Sequence, residues 1–171
     1  METAGAPRRL RRLPSWLISQ TAVWAGRLVN DGLGAQRTRR AHYSVLAALD
    51  EFGPTSQAAL SRRCGVYRSD LVALVNEMTE LGWLRRAPDP DDRRRNVITL
   101  TPDGGERLRR LDQMLAGVQD DLLAALTPDE RAQLVRLLTR VLDHHGGAEI
   151  RPPPSGPAAV PPGRHTSRPD G

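Results

Sequence analysis

Arg93, Arg94 and Arg95 stand side by side behind Asp89-Pro90-Asp91-Asp92. Guanidinium groups carried on a turn suit phosphate oxygens, which they can bind with paired hydrogen bonds. Arg68, Ser69 and Asn76 form a second set of candidates. Arg pairs bidentately with guanine and Asn with adenine, so these types on one helical face could read base edges. The remaining chemistry-bearing residues give little. His42, His144, His145 and His165 lack metal-ligand spacing, and Cys64 is the only cysteine, so no disulfide framework or cysteine-based zinc cluster is expected. No Gly-rich phosphate loop, HExxH or nucleophile elbow occurs, and Asp120-Asp121 and Asp129-Glu130 are adjacent acids on solvated helical faces. An enzyme, a cofactor and a metal are therefore not expected.

Those arginines act together only if the chain positions them. Leu71, Leu74, Val75 and Met78 fall at i, i+3, i+4 and i+7, predicting a helix over 67–81 with an inward apolar stripe. Its outer face then carries Arg68, Ser69, Asp70, Val72, Ala73 and Asn76. Residues 56–63 predict a short helix behind Thr55 as N-cap, joined to the next by Cys64-Gly65-Val66. Two helices linked by a tight glycine turn make a helix-turn-helix. Beyond Gly82, WLRRAP and NVITL flank the charged stretch 89–95; Ile98 and Leu100 alternate with Thr99 as in a half-buried strand. A hairpin tipped with arginine after a helix-turn-helix is a wing. Arg62, Arg63, Arg85 and Arg86 are further backbone-contact candidates, with solvated surface an equal use of them. Cys64 reads as a small core residue.

Around this centre lie more helices. Pro14 opens one over 14–32, and residues 39–51 form another, stopped by Phe52-Gly53-Pro54. Thr101-Pro102 starts a long helix reaching about 126, along which Leu108, Leu111, Leu115, Val118, Leu122 and Leu126 make a near-heptad stripe. Thr127-Pro128-Asp129-Glu130 is a capping box that opens a last helix over 128–145.

The chain has 171 residues, of which 39% are apolar and 26% charged, and no apolar run is long enough to span a membrane. It has no lysine; all the basic residues are arginine, and the net charge is +5. Much of that excess sits in Arg8, Arg9, Arg11 and Arg12, so composition alone does not establish nucleic-acid binding. Residues 1–12 read as a flexible basic arm. Residues 146–171, rich in proline, read as a disordered tail. The ordered body is 13–145.

The stretch from Gly53 to Leu108, above all LGWLRRAPDPDDRRRNVITLTPDG, resembles the MarR family of bacterial transcription regulators. The resemblance covers about 14–145. It implies a mainly α fold: a winged helix-turn-helix with a small β-hairpin wing, its DNA-binding lobe at about 39–101, and dimerisation helices at about 14–30 and 103–145. It also implies a cytoplasmic homodimer that binds a near-palindromic double-stranded operator and acts as a repressor. Asp92 and Arg94 match the family's wing pair, in which Asp supports an Arg that enters the minor groove. Val72 and Ala73 stand where many members have longer polar residues, and Asp70 adds a negative charge. The alternative is a winged-helix dimer serving as a protein-interaction module. The resemblance further implies a pocket for a small aromatic or anionic effector. Trp16, Trp24, His42 and Tyr43 are its candidates, and plain core packing also suits each of them.

Overall fold

A computed structural model describes residues 5–88 and 96–145. After a 3₁₀ turn at Leu10–Arg12, helix α1 runs Pro14–Ala35 and α2 runs Arg40–Phe52. Strand β1 (Thr55–Ser56) leads into α3 (Gln57–Cys64) and α4 (Arg68–Glu80). Strands β2 (Leu84–Pro88) and β3 (Asn96–Leu100) follow, then α5 (Pro102–Leu122) and α6 (Pro128–His145). The fold is the expected mainly α, winged helix-turn-helix arrangement, and none of the described helices is long and apolar enough to cross a membrane.

Local chemistry accounts for most element boundaries. Pro14 occupies the first turn of α1 and Pro102 that of α5, where a missing N–H costs nothing. Thr101 Oγ1 accepts the Gly104 N–H at 3.0 Å. The Thr127 capping box forms: its N–H donates to Glu130 Oε2 at 2.8 Å, and Thr127 Oγ1 accepts the Glu130 N–H at 3.4 Å. Helix α2 stops at Gly53 (φ 71°), and α3 at Gly65 (φ 62°), a left-handed position that disfavours a side chain.

Several boundaries differ from the sequence reading; α1, for one, runs to Ala35 rather than 32. Thr55 is not the cap of α3; it lies in β1, and Ser56 Oγ accepts the Ala59 N–H at 3.3 Å. The wing is accordingly three-stranded, in order β1-β3-β2 and antiparallel throughout. Helix α5 ends at Leu122 rather than near 126, and Leu126 donates instead to Leu123 O in a turn. The apolar stripe outlasts the helix because Pro128 forces a new start. The stretch read as a flexible arm includes the 3₁₀ turn, whose Leu10 carbonyl accepts the Leu13 N–H at 2.9 Å. Residues 1–4 and 146–171 lie outside the described residues.

The core is concentrated in the central lobe. Val45, Leu46 and Leu49 of α2, Leu60 of α3, Leu71, Leu74, Val75 and Met78 of α4, and Leu84 and Ile98 of the sheet are buried together with Leu108 and Leu111 of α5. Each large side chain of this kind adds about 1.5–3 kcal/mol when fully buried. Helix α5 meets the lobe at Gly104, where a Cβ would lie 2.2 Å from the Trp83 carbonyl oxygen. Near its middle α5 passes α1 at Gly32, where a Cβ would touch Met114 Sδ. These two close approaches fix the long helix against both α1 and the wing base.

Candidate nucleic-acid interface

Helix α4 is anchored through its inner stripe and open on its outer one. Leu71, Val75 and Met78 are fully buried and Leu74 nearly so. Arg68, Ser69, Asp70, Val72, Ala73 and Asn76 are all exposed. The predicted outer face thus exists as one surface, about two and a half turns long. Asp70 lies in the first turn, where its charge complements the helix dipole, and it accepts from Ser69 Oγ at 3.1 Å. That local role accounts for an acid on a face otherwise suited to DNA.

The other arginine candidates are on α3 and β2, the elements before and after α4. Arg62 and Arg63 lie in the last turn of α3, exposed; Arg63 stacks over the Phe52 ring at 4.3 Å, which limits its reach. Arg85 and Arg86 are exposed on β2, paired in register with Thr99 and Ile98. Asp92, Arg93, Arg94 and Arg95 lie outside the described residues. The described strands pair out to Pro88 and Asn96 on either side of them.

The four residues expected around an effector are not brought together. Trp16 and Trp24 line a cleft of about 640 Å³ with Leu10, Leu17 and Leu122. Tyr43 lines a second, of about 670 Å³, between α1, α2 and α5, with Arg40, Ser44, Asp112 and Gln119. There Tyr43 Oη donates to Asp112 Oδ1 at 2.9 Å, and burial together with this bond pushes the phenol pKa up. His42 lines neither cleft. It is 2% exposed and packs edge-on against Trp83, with ring centroids 5.9 Å apart. His42 and Tyr43 are adjacent on α2, and adjacent helical positions face different ways.

The structure adds residues that spacing did not single out. Glu77 faces His42 across the α2–α4 contact. Arg107 of α5 lies over Trp83 at 5.1 Å and donates to Thr38 Oγ1 at 2.6 Å and to the Gln36 carbonyl. Cys64 is half-buried with Sγ 3.5 Å from the Ser44 carbonyl oxygen, and burial raises its pKa, as suits a packed thiol rather than a reactive one. No cluster of three or more metal-ligating side chains occurs among the described residues.

A helix-turn-helix whose second helix bares a polar face beside an antiparallel wing defines a winged helix-turn-helix protein. Comparison with known proteins narrows this further. The MarR family matches residues 37–95. A Thauera aromatica protein assigned to transcriptional regulation of the hcr operon is 35% identical over 99 residues, which are 58% of this chain and 60% of that protein's length. The PcaV transcriptional regulator of Streptomyces coelicolor is 30% identical with a TM-score of 0.63, covering 80% of this chain and 99% of that one. A cysteine-to-serine variant of Escherichia coli MarR complexed with operator DNA is 25% identical with a TM-score of 0.65, over 80% of this chain and 99% of that one. The chain belongs to the MarR family.

Proposed function

We propose that this chain is a cytoplasmic transcriptional repressor, without enzymatic activity, that binds double-stranded operator DNA as a homodimer. The observation that carries the reading is the outer face of α4. Its six exposed residues sit on a helix locked to the core by Leu71, Leu74, Val75 and Met78, and Arg85 and Arg86 are exposed on β2, the strand that follows it. In this reading Arg68, Ser69 and Asn76 reach base edges in the major groove, and Val72 and Ala73 meet thymine methyl groups. Arg93, Arg94 and Arg95, with Asp92 in support, would grip the adjacent minor groove and its phosphates.

The dimer is inferred from unpartnered apolar surface. Leu137, Leu138, Val141 and Leu142 of α6, and Leu13, Leu17, Ile18 and Trp24 at α1, are exposed. A two-fold contact through these helices would set two α4 helices about 34 Å apart, one turn of the duplex. A small effector would enter the cleft between α1, α2 and α5, where Arg40, Tyr43 and Asp112 offer polar contacts to an aromatic or anionic molecule.

A gel-shift titration against the DNA upstream of the chain's own gene tests the reading. The expected result is a discrete shifted band whose midpoint rises steeply with salt, as released counterions require. Arg94→Ala is expected to weaken binding severalfold while the dimer persists by sedimentation. No shift at low salt would overturn the DNA-binding reading and leave a protein-interaction module.

A further inference from the structure

His42 sits at the start of α2, the third residue past Arg39. Its Nδ1 accepts the Arg39 backbone N–H at 3.0 Å, closing the helix N-terminus. An amide N–H can only donate, so Nδ1 carries no hydrogen, and in the neutral ring the hydrogen resides on Nε2. Nε2 lies 3.2 Å from Glu77 Oε1 on α4 and 3.2 Å from Arg39 Nη2, which itself donates to the other oxygen of the same carboxylate. One buried ring therefore caps α2 on one side and holds α4 on the other. Trp83 stands edge-on to it, and Arg107 of α5 lies over the Trp83 ring.

We propose that His42 and Glu77 are positioning residues for operator binding: the neutral imidazole, bridging the Arg39 amide and the Glu77 carboxylate, holds α4 in the orientation that presents Arg68 to Asn76. The proposal rests on the DNA-binding reading for its consequence, though the bridge itself is a property of the free protein.

Protonating His42 would place a hydrogen on Nδ1, pointing at the Arg39 N–H, and two donors cannot share that 3.0 Å contact. It would also put a third cation beside Arg39 of the α2 cap and Arg107 of α5, with Glu77 of α4 the one facing carboxylate among the described residues. Burial is the largest influence on the ring and lowers its pKa; Glu77 opposes this, and Arg39 and Arg107 reinforce it. The bridge is thus intact at neutral pH. It loosens as acid drives a proton onto a ring that the fold keeps neutral.

The test measures two things across about pH 7.5 to 5. One is the protection of α4 amides against hydrogen exchange in the free protein. The other is affinity for the upstream DNA fragment. In the wild type both are expected to fall, by about tenfold. His42→Gln supplies an acceptor for the Arg39 amide and a donor for Glu77 without a titrating ring, so it should flatten both profiles. Glu77→Ala should lower α4 protection and affinity at every pH, and Glu77→Gln, which keeps an acceptor, should restore most of both near neutrality. If His42→Gln retains the wild-type pH dependence, or Glu77→Ala leaves α4 protection unchanged, the proposal is overturned. Protection that responds as expected in a protein that shifts no DNA would instead refute the DNA-binding reading and leave the bridge standing.

Discussion

The central lobe and the terminal helices use apolar residues in opposite ways. Between α2 and β3 the large apolar side chains are mostly inside, and the exposed exceptions, Phe52, Tyr67, Val72 and Leu81, are scattered. In α6 no residue is buried, and Val135, Leu137, Leu138, Val141 and Leu142 face outward along one helix. Helix α1 is similar: of its 22 residues only Leu33 is buried, and it is Leu33 that lies next to the lobe. Isolated apolar residues on a surface need no explanation, but a continuous stripe of them does. The lobe folds around its own core. The terminal helices carry a core that a single chain does not close.

The largest expected effect comes from attacking the half-core. Leu138→Asp, at the middle of the α6 stripe, should convert the proposed dimer to monomer by analytical ultracentrifugation. A charge cannot be buried unpaired at an apolar contact without a penalty of several kcal/mol. Operator affinity should fall by orders of magnitude, because one lobe loses the avidity of two. The lobe itself should keep its near-ultraviolet signal. A variant that stays dimeric would remove α6 from the interface.

That contrast was partly visible in the sequence. The stripe of α6 follows from Leu134, Leu137, Leu138, Val141 and Leu142 at helical spacing, and its start follows from a local capping box. Helix α4 was equally plain, since its inward and outward faces are both set by residues three and four apart. Strand β1 was not visible, because two residues become a strand only by pairing with Val97 and Ile98, some forty positions on. The same reason hid the site's supporting contacts. Nothing local joins His42 to Glu77, or Tyr43 to Asp112 across 69 residues; tertiary packing alone makes them neighbours. The candidate effector residues lie on two helices, and which clefts they line is likewise set by packing between helices rather than by spacing along either one.

A smaller effect separates the two faces of one element. Leu71 and Val72 are adjacent on α4, one fully buried and the other 44% exposed. Leu71→Ala should cost about 2–5 kcal/mol of folding free energy in chemical denaturation, since it leaves a cavity in the lobe's core. Val72→Ala should change stability by no more than about 0.5 kcal/mol yet weaken operator binding, if its methyl groups meet the DNA. Equal stability losses in both would contradict the assignment of Val72 to an open face.

The stability of the pH-sensitive bridge can be followed in the same denaturation series. Because the fold holds His42 below the usual histidine range, folding favours the neutral ring. This stability is complete above the unfolded-chain value and is lost as the pH falls through the folded one. Wild-type stability should therefore decline below about pH 6.5, and His42→Gln should remove this component of the decline.

The smallest effect falls at the joint between the regions. Thr101 caps α5 through Gly104, and its hydroxyl hydrogen is within reach of the Gly82 carbonyl at 2.7 Å and the Trp83 carbonyl at 3.0 Å. One side chain thus ties the first turn of the long helix to the turn that ends α4. Thr101→Ala removes the acceptor for a helix-terminal N–H, a loss of about 1 kcal/mol. For a chain of this size that lowers the melting temperature by about 2–4 °C. Thr101→Ser keeps the hydroxyl and should recover most of the loss, whereas Thr101→Val, which keeps the shape alone, should not. If valine rescued and serine did not, the joint would be one of packing, and the lobe and the long helix would be held together by the close approach at Gly104 rather than by the cap.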